Sequence, residues 1–228
     1  MENFKTINFS EILNNSESGD ILLFQGYSIP SYIVRFFDNS LFSHIGIIYK
    51  HPKTQEKFLW HSTYYTNRNG NLPKDVISKK VKHGPQLNRL KTFLPRYKGI
   101  IFYRKHIGNL FVDKEYKLYK WMKKQIPKTY EMNPFELLKS SLDCLIMCKN
   151  TRNTSSFFCS ELIVETFKEM EWLDEIDYFD SNEYTPKDFS TFPHHETVIY
   201  QGNNDFEEES IIHFSKRTMS YYKDNKFI

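Results

Sequence analysis

The chain has 228 residues, enough for a single domain with a sizeable core, and its net charge is only +3. Aromatic residues make up 17% of it, including 20 Phe and 15 Tyr, so the core is expected to be built on rings. No stretch reaches the roughly 18 apolar residues of a membrane span, and the first residues carry no apolar signal core, which argues against a membrane-spanning or exported chain.

Residues 1–18 read as a polar lead-in with a short helix around Phe9–Leu13. Gly19-Asp20 marks a turn, and Ile21-Leu22-Leu23-Phe24 is an apolar run of the kind a buried strand carries. A loop or short helix follows, with Gly26, Pro30, Tyr32, Ile33, Val34, Phe36 and Phe37. Ser43 to Tyr49 is β-rich, with His44, Gly46 and Ile48 on one face and Ile45, Ile47 and Tyr49 on the other. After a polar turn at 51–55, Phe58 to Tyr64 reads as a strand hairpinned to the previous one. Leu59, His61 and Thr63 share a face of it. Antiparallel pairing would then make His44 and His61 cross-strand neighbours.

Residues 66–98 are basic and contain Pro73, Pro85 and Pro95, which predicts an irregular insertion. Gly99 to Tyr103 is a further strand. One helix is expected to start near Asp113 and to carry Tyr116, Tyr119, Trp121, Met122 and Ile126. Another runs from Asn133 to about Met147, where Pro134 and Glu136 complete a capping arrangement. Tyr184 to Phe189 reads as a Pro-initiated turn and Thr197 to Tyr200 as a strand. An acidic and aromatic C-terminal extension begins at about 203, with a short strand at Ile211 to Phe214.

Between these lies the segment that carries the chemistry. Ser155 and Ser156 are natural N-caps, and Cys159, Leu162, Ile163, Thr166, Phe167 and Met170 recur with the 3.6-residue period of one helix face. Cys159 therefore sits in the first turn, on the inward face. The positive end of a helix, with a cationic neighbour, can lower a thiol pKa from about 8.5 into roughly the 3.5–7.5 range. Cys159 thus reads either as an activated nucleophile or as a small buried hydrophobe. A nucleophilic thiol needs a base, and the base an orienting group. The hairpin offers His44 for the first role and His61 for the second.

Four pieces in this order resemble one family: Gly19-Asp20-Ile21-Leu22-Leu23-Phe24, Ser43-His44-Ile45-Gly46-Ile47-Ile48, the strand from Phe58 to Ser62, and Phe158-Cys159-Ser160-Glu161-Leu162-Ile163. Thr185-Pro186-Lys187-Asp188-Phe189 trails them. The chain is similar over roughly residues 19–200, the stretch 66–128 excepted, to the circularly permuted NlpC-type papain-like cysteine hydrolases of bacteria and large DNA viruses, which are related to lecithin–retinol acyltransferase-like proteins. The resemblance implies an α+β fold for a single domain over 1–228, an antiparallel sheet packed against helices that include the nucleophile helix. It implies Cys159 as nucleophile, His44 as general base and His61 as third member. Bacterial members usually place Glu at the third position, so His61 is a departure. The N–H of Cys159 is a natural oxyanion donor, with Tyr130 or Gln25 as a second.

The expected activity is thiol hydrolysis of an amide or isopeptide bond in a peptide or N-acyl substrate, through a thioester. A lipid acyltransferase or phospholipase with the same residues, and a catalytically idle structural or virion protein, are the alternatives. Residues 74–128 hold 16 Lys/Arg against 3 Asp/Glu, and residues 160–209 hold 15 Asp/Glu against 2 Lys/Arg. These runs read as ordinary solvated or mutually facing surfaces, or else the basic one meets an anionic membrane or polyanion. No specific nucleic-acid motif accompanies them. Cys144 and Cys148, one helical turn apart, lack two further ligands, so neither a disulfide nor zinc is expected, and no cofactor. His194 and His195 fall in a loop without an assigned role. Cysteine usage points to a reducing, cytoplasmic setting, or a virion if the source is viral.

Overall fold

The computed structural model describes residues 4–63, 73–107, 114–128, 159–173, 181, 184–191 and 205–215. Tyr130, the helix expected at 133–147, Cys144, Cys148, Ser155, Ser156, His194, His195 and the strand expected at 197–200 lie outside them. In chain order the elements are β1 (Lys5–Asn8), α1 (Phe9–Asn15), β2 (Ile21–Gly26), α2 (Ile29–Phe37), β3 (His44–Lys50) and β4 (Lys57–Thr63). Then come β5 (Gly84–Arg89), α3 (Leu90–Phe93), a 3-10 turn (Leu94–Arg96), β6 (Gly99–Arg104) and β7 (His106–Ile107). The described chain continues with α4 (Glu115–Gln125), α5 (Cys159–Glu169), a second 3-10 turn (Pro186–Phe189), β8 (Asp205–Phe206) and β9 (Ser210–His213).

The fold is α+β. Seven strands form one sheet in the order β1-β9-β6-β2-β3-β4-β5, antiparallel throughout except for the parallel pair β1 and β9. The continuous apolar run of β2 has a simple cause: the strand is central and both faces are covered. Ile21 and Leu23 join Ile45, Ile47, Trp60 and Leu87 in a core with Leu162, Ile163, Phe167 and Met122 of α5 and α4. Leu22 and Phe24 point the other way, into a core with Ile48, Leu59, Phe9, Ile12, Leu90 and Phe93.

Thr166 fixes α5 to the sheet. Its hydroxyl donates to Leu162 O (2.7 Å) and accepts from the indole N–H groups of Trp60 (3.1 Å) and Trp121 (3.2 Å). Because Thr166 lies two turns beyond Cys159 on the same face, the same contact sets the azimuth of the thiol. The Gly-Asp pair serves the frame. Gly19 adopts φ 95, a conformation that favours glycine. Asp20 accepts from Glu17 N (2.8 Å), His106 N (2.9 Å) and the Tyr103 hydroxyl (2.6 Å), which ties the start of β2 to the end of β6.

Four expectations are corrected. Residues 84–96 are not irregular: they form β5, α3 and a 3-10 turn, and β5 is a strand of the main sheet. The segment after 203 is more than an appendage, because β9 pairs with both β1 and β6. The lead-in contains β1 before its helix. In α4 the residue preceding the first turn is Lys114 rather than Asp113, which lies outside the described residues.

Candidate active site

The site is built at the end of the sheet where β3 begins. His44 is its first residue, and His61 stands on the same face of the neighbouring strand. His44 Nε2 and His61 Nδ1 are 2.9 Å apart. Gly46 permits this approach: a Cβ there would lie 3.0 Å from His61 Cβ and 3.0 Å from Trp60 O. The chain of contacts continues to a residue without a signal in the sequence. Asn88 of β5 sits opposite Leu59, hence on the face that also carries His61. Its Oδ1 lies 2.7 Å from His61 Nε2, while its Nδ2 donates to Lys74 O at 3.1 Å.

That last bond decides the protons. The Lys74 carbonyl can only accept, so the Asn88 amide must turn its nitrogen towards Lys74 and its oxygen towards His61. His61 therefore carries its proton on Nε2 and accepts at Nδ1. His44 in turn donates from Nε2, which leaves the lone pair of the neutral imidazole on Nδ1. An amide on the edge strand thus sets the tautomers of two histidines and makes His44 Nδ1 a proton acceptor.

Both rings are dry. Phe24 packs 5.1 Å from His44 and Phe93 4.9 Å from His61, centroid to centroid. Burial holds His44 well below the usual imidazole range, with His61 adding to the effect. Burial likewise lowers His61 to about 4, against the opposing hydrogen bond to Asn88 and the more distant charge of Asp75. The pair is neutral at physiological pH.

Cys159 opens α5, is half-buried and free. Its sulfur faces the N–H of Ile45, the residue after His44, together with the N–H groups of Ser160 and of Cys159 itself. The helix start and the start of β3 are thereby brought together. Among the described residues, however, no hydrogen bond joins the thiol to the His44 imidazole. The expected depression of the thiol pKa is also reversed. Burial pushes it up to about 11, outweighing the three N–H groups, and the Asp38 carboxylate adds to the rise. Desolvation of the sulfur outweighs the pull of the helix terminus. The resting pair is thiol and imidazole, not thiolate and imidazolium.

This has a direct readout. Alkylation of Cys159 by iodoacetamide should be slow near neutrality and climb with pH towards the thiol pKa of about 11. A rate already at its plateau near pH 7 would mean a thiolate–imidazolium pair and would rule out a neutral resting thiol.

Of the two further oxyanion candidates, Gln25 is half-buried near the end of β2. Strand alternation puts its side chain on the face covered by α5, with Leu23. Tyr130 lies outside the described residues. Two neighbours carried no signal in the sequence: Tyr97, whose buried hydroxyl is hydrogen-bonded to Ser43 and feels the charge of Cys159, and Ser43 itself, which accepts from Gly26 N at 3.2 Å. Lys187 of the Thr-Pro-Lys-Asp-Phe turn donates to Asp38 O (3.0 Å) and so fastens the end of α2 beside the thiol. Among the described residues no group of three or more His, Cys, Asp or Glu side chains could hold a metal ion, and no helix is long and apolar enough to cross a membrane.

No protein-family model matches the chain. An uncharacterized protein of Acanthamoeba polyphaga mimivirus is 27% identical over 173 residues, 68% of this chain and 64% of that protein, so the chain spans just under two thirds of that relative. Among solved structures, the metalloprotein yiiX from Escherichia coli O157:H7 superposes with a TM-score of 0.46 at 16% identity, over 87% of this chain and 97% of that one.

Proposed function

We propose that the chain is a papain-like thiol hydrolase that opens an amide or isopeptide bond of a peptide or N-acyl substrate through a Cys159 thioester. The observation that carries this reading is the Lys74 O–Asn88–His61–His44 chain, which leaves a basic nitrogen on the residue adjoining the N–H that the sulfur faces. A partly buried imidazole pair with a dedicated amide behind it has no packing purpose that apolar side chains would not serve better.

In the proposed reaction His44 Nδ1 takes the thiol proton as the sulfur attacks the carbonyl carbon. The positive charge that develops on His44 is held by the Nε2–H bond to neutral His61. The carbonyl oxygen, now an oxyanion, is met by the N–H of Cys159 and a second donor, for which Gln25 is the described candidate and Tyr130 the other. Collapse of the tetrahedral adduct expels the amine, which leaves with the proton from His44. Water, deprotonated by the same nitrogen, then cleaves the thioester and restores the thiol. Since the resting thiol is neutral, the step is general-base attack rather than attack by a preformed thiolate.

The test is a panel of muropeptide, ubiquitin-like and acyl electrophiles read by intact-mass spectrometry. An adduct on Cys159 that forms with at least one class, and whose rate collapses in His44→Ala, supports the reading. Labelling at the rate of a small free thiol for every class, unchanged by His44→Ala, overturns it.

A further inference from the structure

Helix α2 does what a helix of a globular domain ordinarily avoids. Ser28 caps it, accepting from Ser31 N at 3.3 Å, and Pro30 starts it with a preset φ. None of its nine residues is fully buried. Ile29, Tyr32 and Phe36, at i, i+3 and i+7, form one ridge and are 76%, 54% and 80% exposed. Tyr27 and Phe37 flank the ridge and are also exposed. Of the eight large apolar side chains exposed among the described residues, these are five. An apolar stripe of this kind normally faces the core. This one faces out.

The helix itself carries no acid. From Tyr27 to Phe37 there is no carboxylate, and the Arg35 guanidinium lies 4.5 Å from the centre of the Tyr32 ring. Tyr27 N donates to Lys98 O at 3.2 Å, which sets the loop carrying exposed Arg96 and Lys98 alongside the ridge. Asp38, at the far cap, is raised to about 6 by burial, with Lys187 opposing the rise and Asp188 adding to it. A helix about 14 Å long offers far less than the roughly 800 Å2 that a stable protein interface takes from each partner. It is the right size for an interfacial helix, whose apolar side sinks into the acyl boundary, whose aromatic rings sit at headgroup depth and whose cations meet phosphate.

We propose that α2 seats the protein on an anionic lipid surface, with Ile29, Tyr32 and Phe36 entering the bilayer and Arg96 and Lys98 contacting the headgroups. The docking stands apart from the hydrolase reading.

The experiment is co-flotation of the full chain with phosphatidylcholine vesicles, with and without phosphatidylserine. Binding should require phosphatidylserine and weaken as salt is raised. Phe36→Asp and Ile29→Asp should each cut it about tenfold or more, and Arg96→Glu with Lys98→Glu by a similar factor. Thermal unfolding should stay where it is, because all four side chains are exposed. Cys159→Ser should bind as wild type, which separates failure of the docking from failure of the hydrolase reading. Absence of flotation at low salt, or flotation unaffected by Phe36→Asp, would overturn the proposal. So would a dimer in solution that Phe36→Asp disperses, since the ridge would then be covered by a second copy.

Discussion

His44→Ala is expected to slow formation of the Cys159 acyl adduct by about 10²–10⁴-fold, the span that loss of a positioned general base produces. The more telling variant is Asn88→Leu. Without the amide oxygen, His61 is no longer held with its proton on Nε2. Its other tautomer would donate from Nδ1 to His44 Nε2 and force the His44 proton onto Nδ1, where the base should be. The expected loss is about 10–100-fold, as for other groups that act through a first partner, in the turnover of bound substrate and not in its affinity. Asn88→Asp keeps an acceptor facing His61 and should retain most of the rate. Nitrogen chemical shifts of the two imidazoles give an independent reading: Nε2 protonated in both rings of the wild type, and redistributed in Asn88→Leu. Because burial holds His44 well below 6.5, the base stays unprotonated as pH falls through 6.5. The acid limb of the rate should therefore lie below that value. An Asn88→Leu variant with wild-type rate and wild-type shifts would remove the relay from the mechanism.

The second large effect concerns the frame. Arg104, at the end of β6, is fully buried. Its guanidinium donates to Phe189 O (2.6 Å), Glu207 O (3.0 Å) and Phe206 O (3.4 Å), and it lies 3.8 Å from the Glu209 carboxylate. Glu209 in turn accepts from Ser190 Oγ (2.7 Å), Thr191 N (2.7 Å) and Thr191 Oγ1 (2.5 Å). Arg104→Met would keep the stem and strand an anion with three carbonyls. The expected cost is about 3–5 kcal/mol, the range for breaking a buried pair from one side, or roughly a 10 °C drop in Tm for a chain of this size. Arg89→Met is the control. Its 2.8 Å pair with Glu56 is partly solvated, and such pairs contribute about 1 kcal/mol or less. Equal losses for both variants would show that Arg104 is no clamp.

The contrast between these residues explains what the sequence could disclose. β2, β3 and β4 were legible because their apolar side chains obey period two or run unbroken, and because β3 and β4 follow one another closely enough that their hairpin could be inferred. The meeting of His44 and His61 followed from that. β5 was not legible. Gly84-Pro85-Gln86-Leu87-Asn88-Arg89 alternates one apolar residue with polar ones, and its buried polar side chains are satisfied inside the fold. Pro85 is tolerated because β5 is an edge strand. Asn88 looks like a turn residue until its partners are known. The inward placement of Cys159 could be read from helical period, but the direction of its pKa could not. Periodicity reports which face a residue occupies and is silent on how dry that face is. Arg104 gave no warning either, since its partners are mostly carbonyls 85–103 positions away.

The slot taken by β9 bears on how the molecule is made. β9 lies between β1 and β6, parallel to one and antiparallel to the other. As the polypeptide leaves the ribosome, both flanks of that slot are synthesised long before residues 210–213 arrive to fill it. Until they do, among the described strands β6 presents an unmated edge and β1 has no partner in the sheet. β9 is thus the keystone of the described sheet, and a nascent chain arrested short of it should be the form most prone to mispair with its fellows.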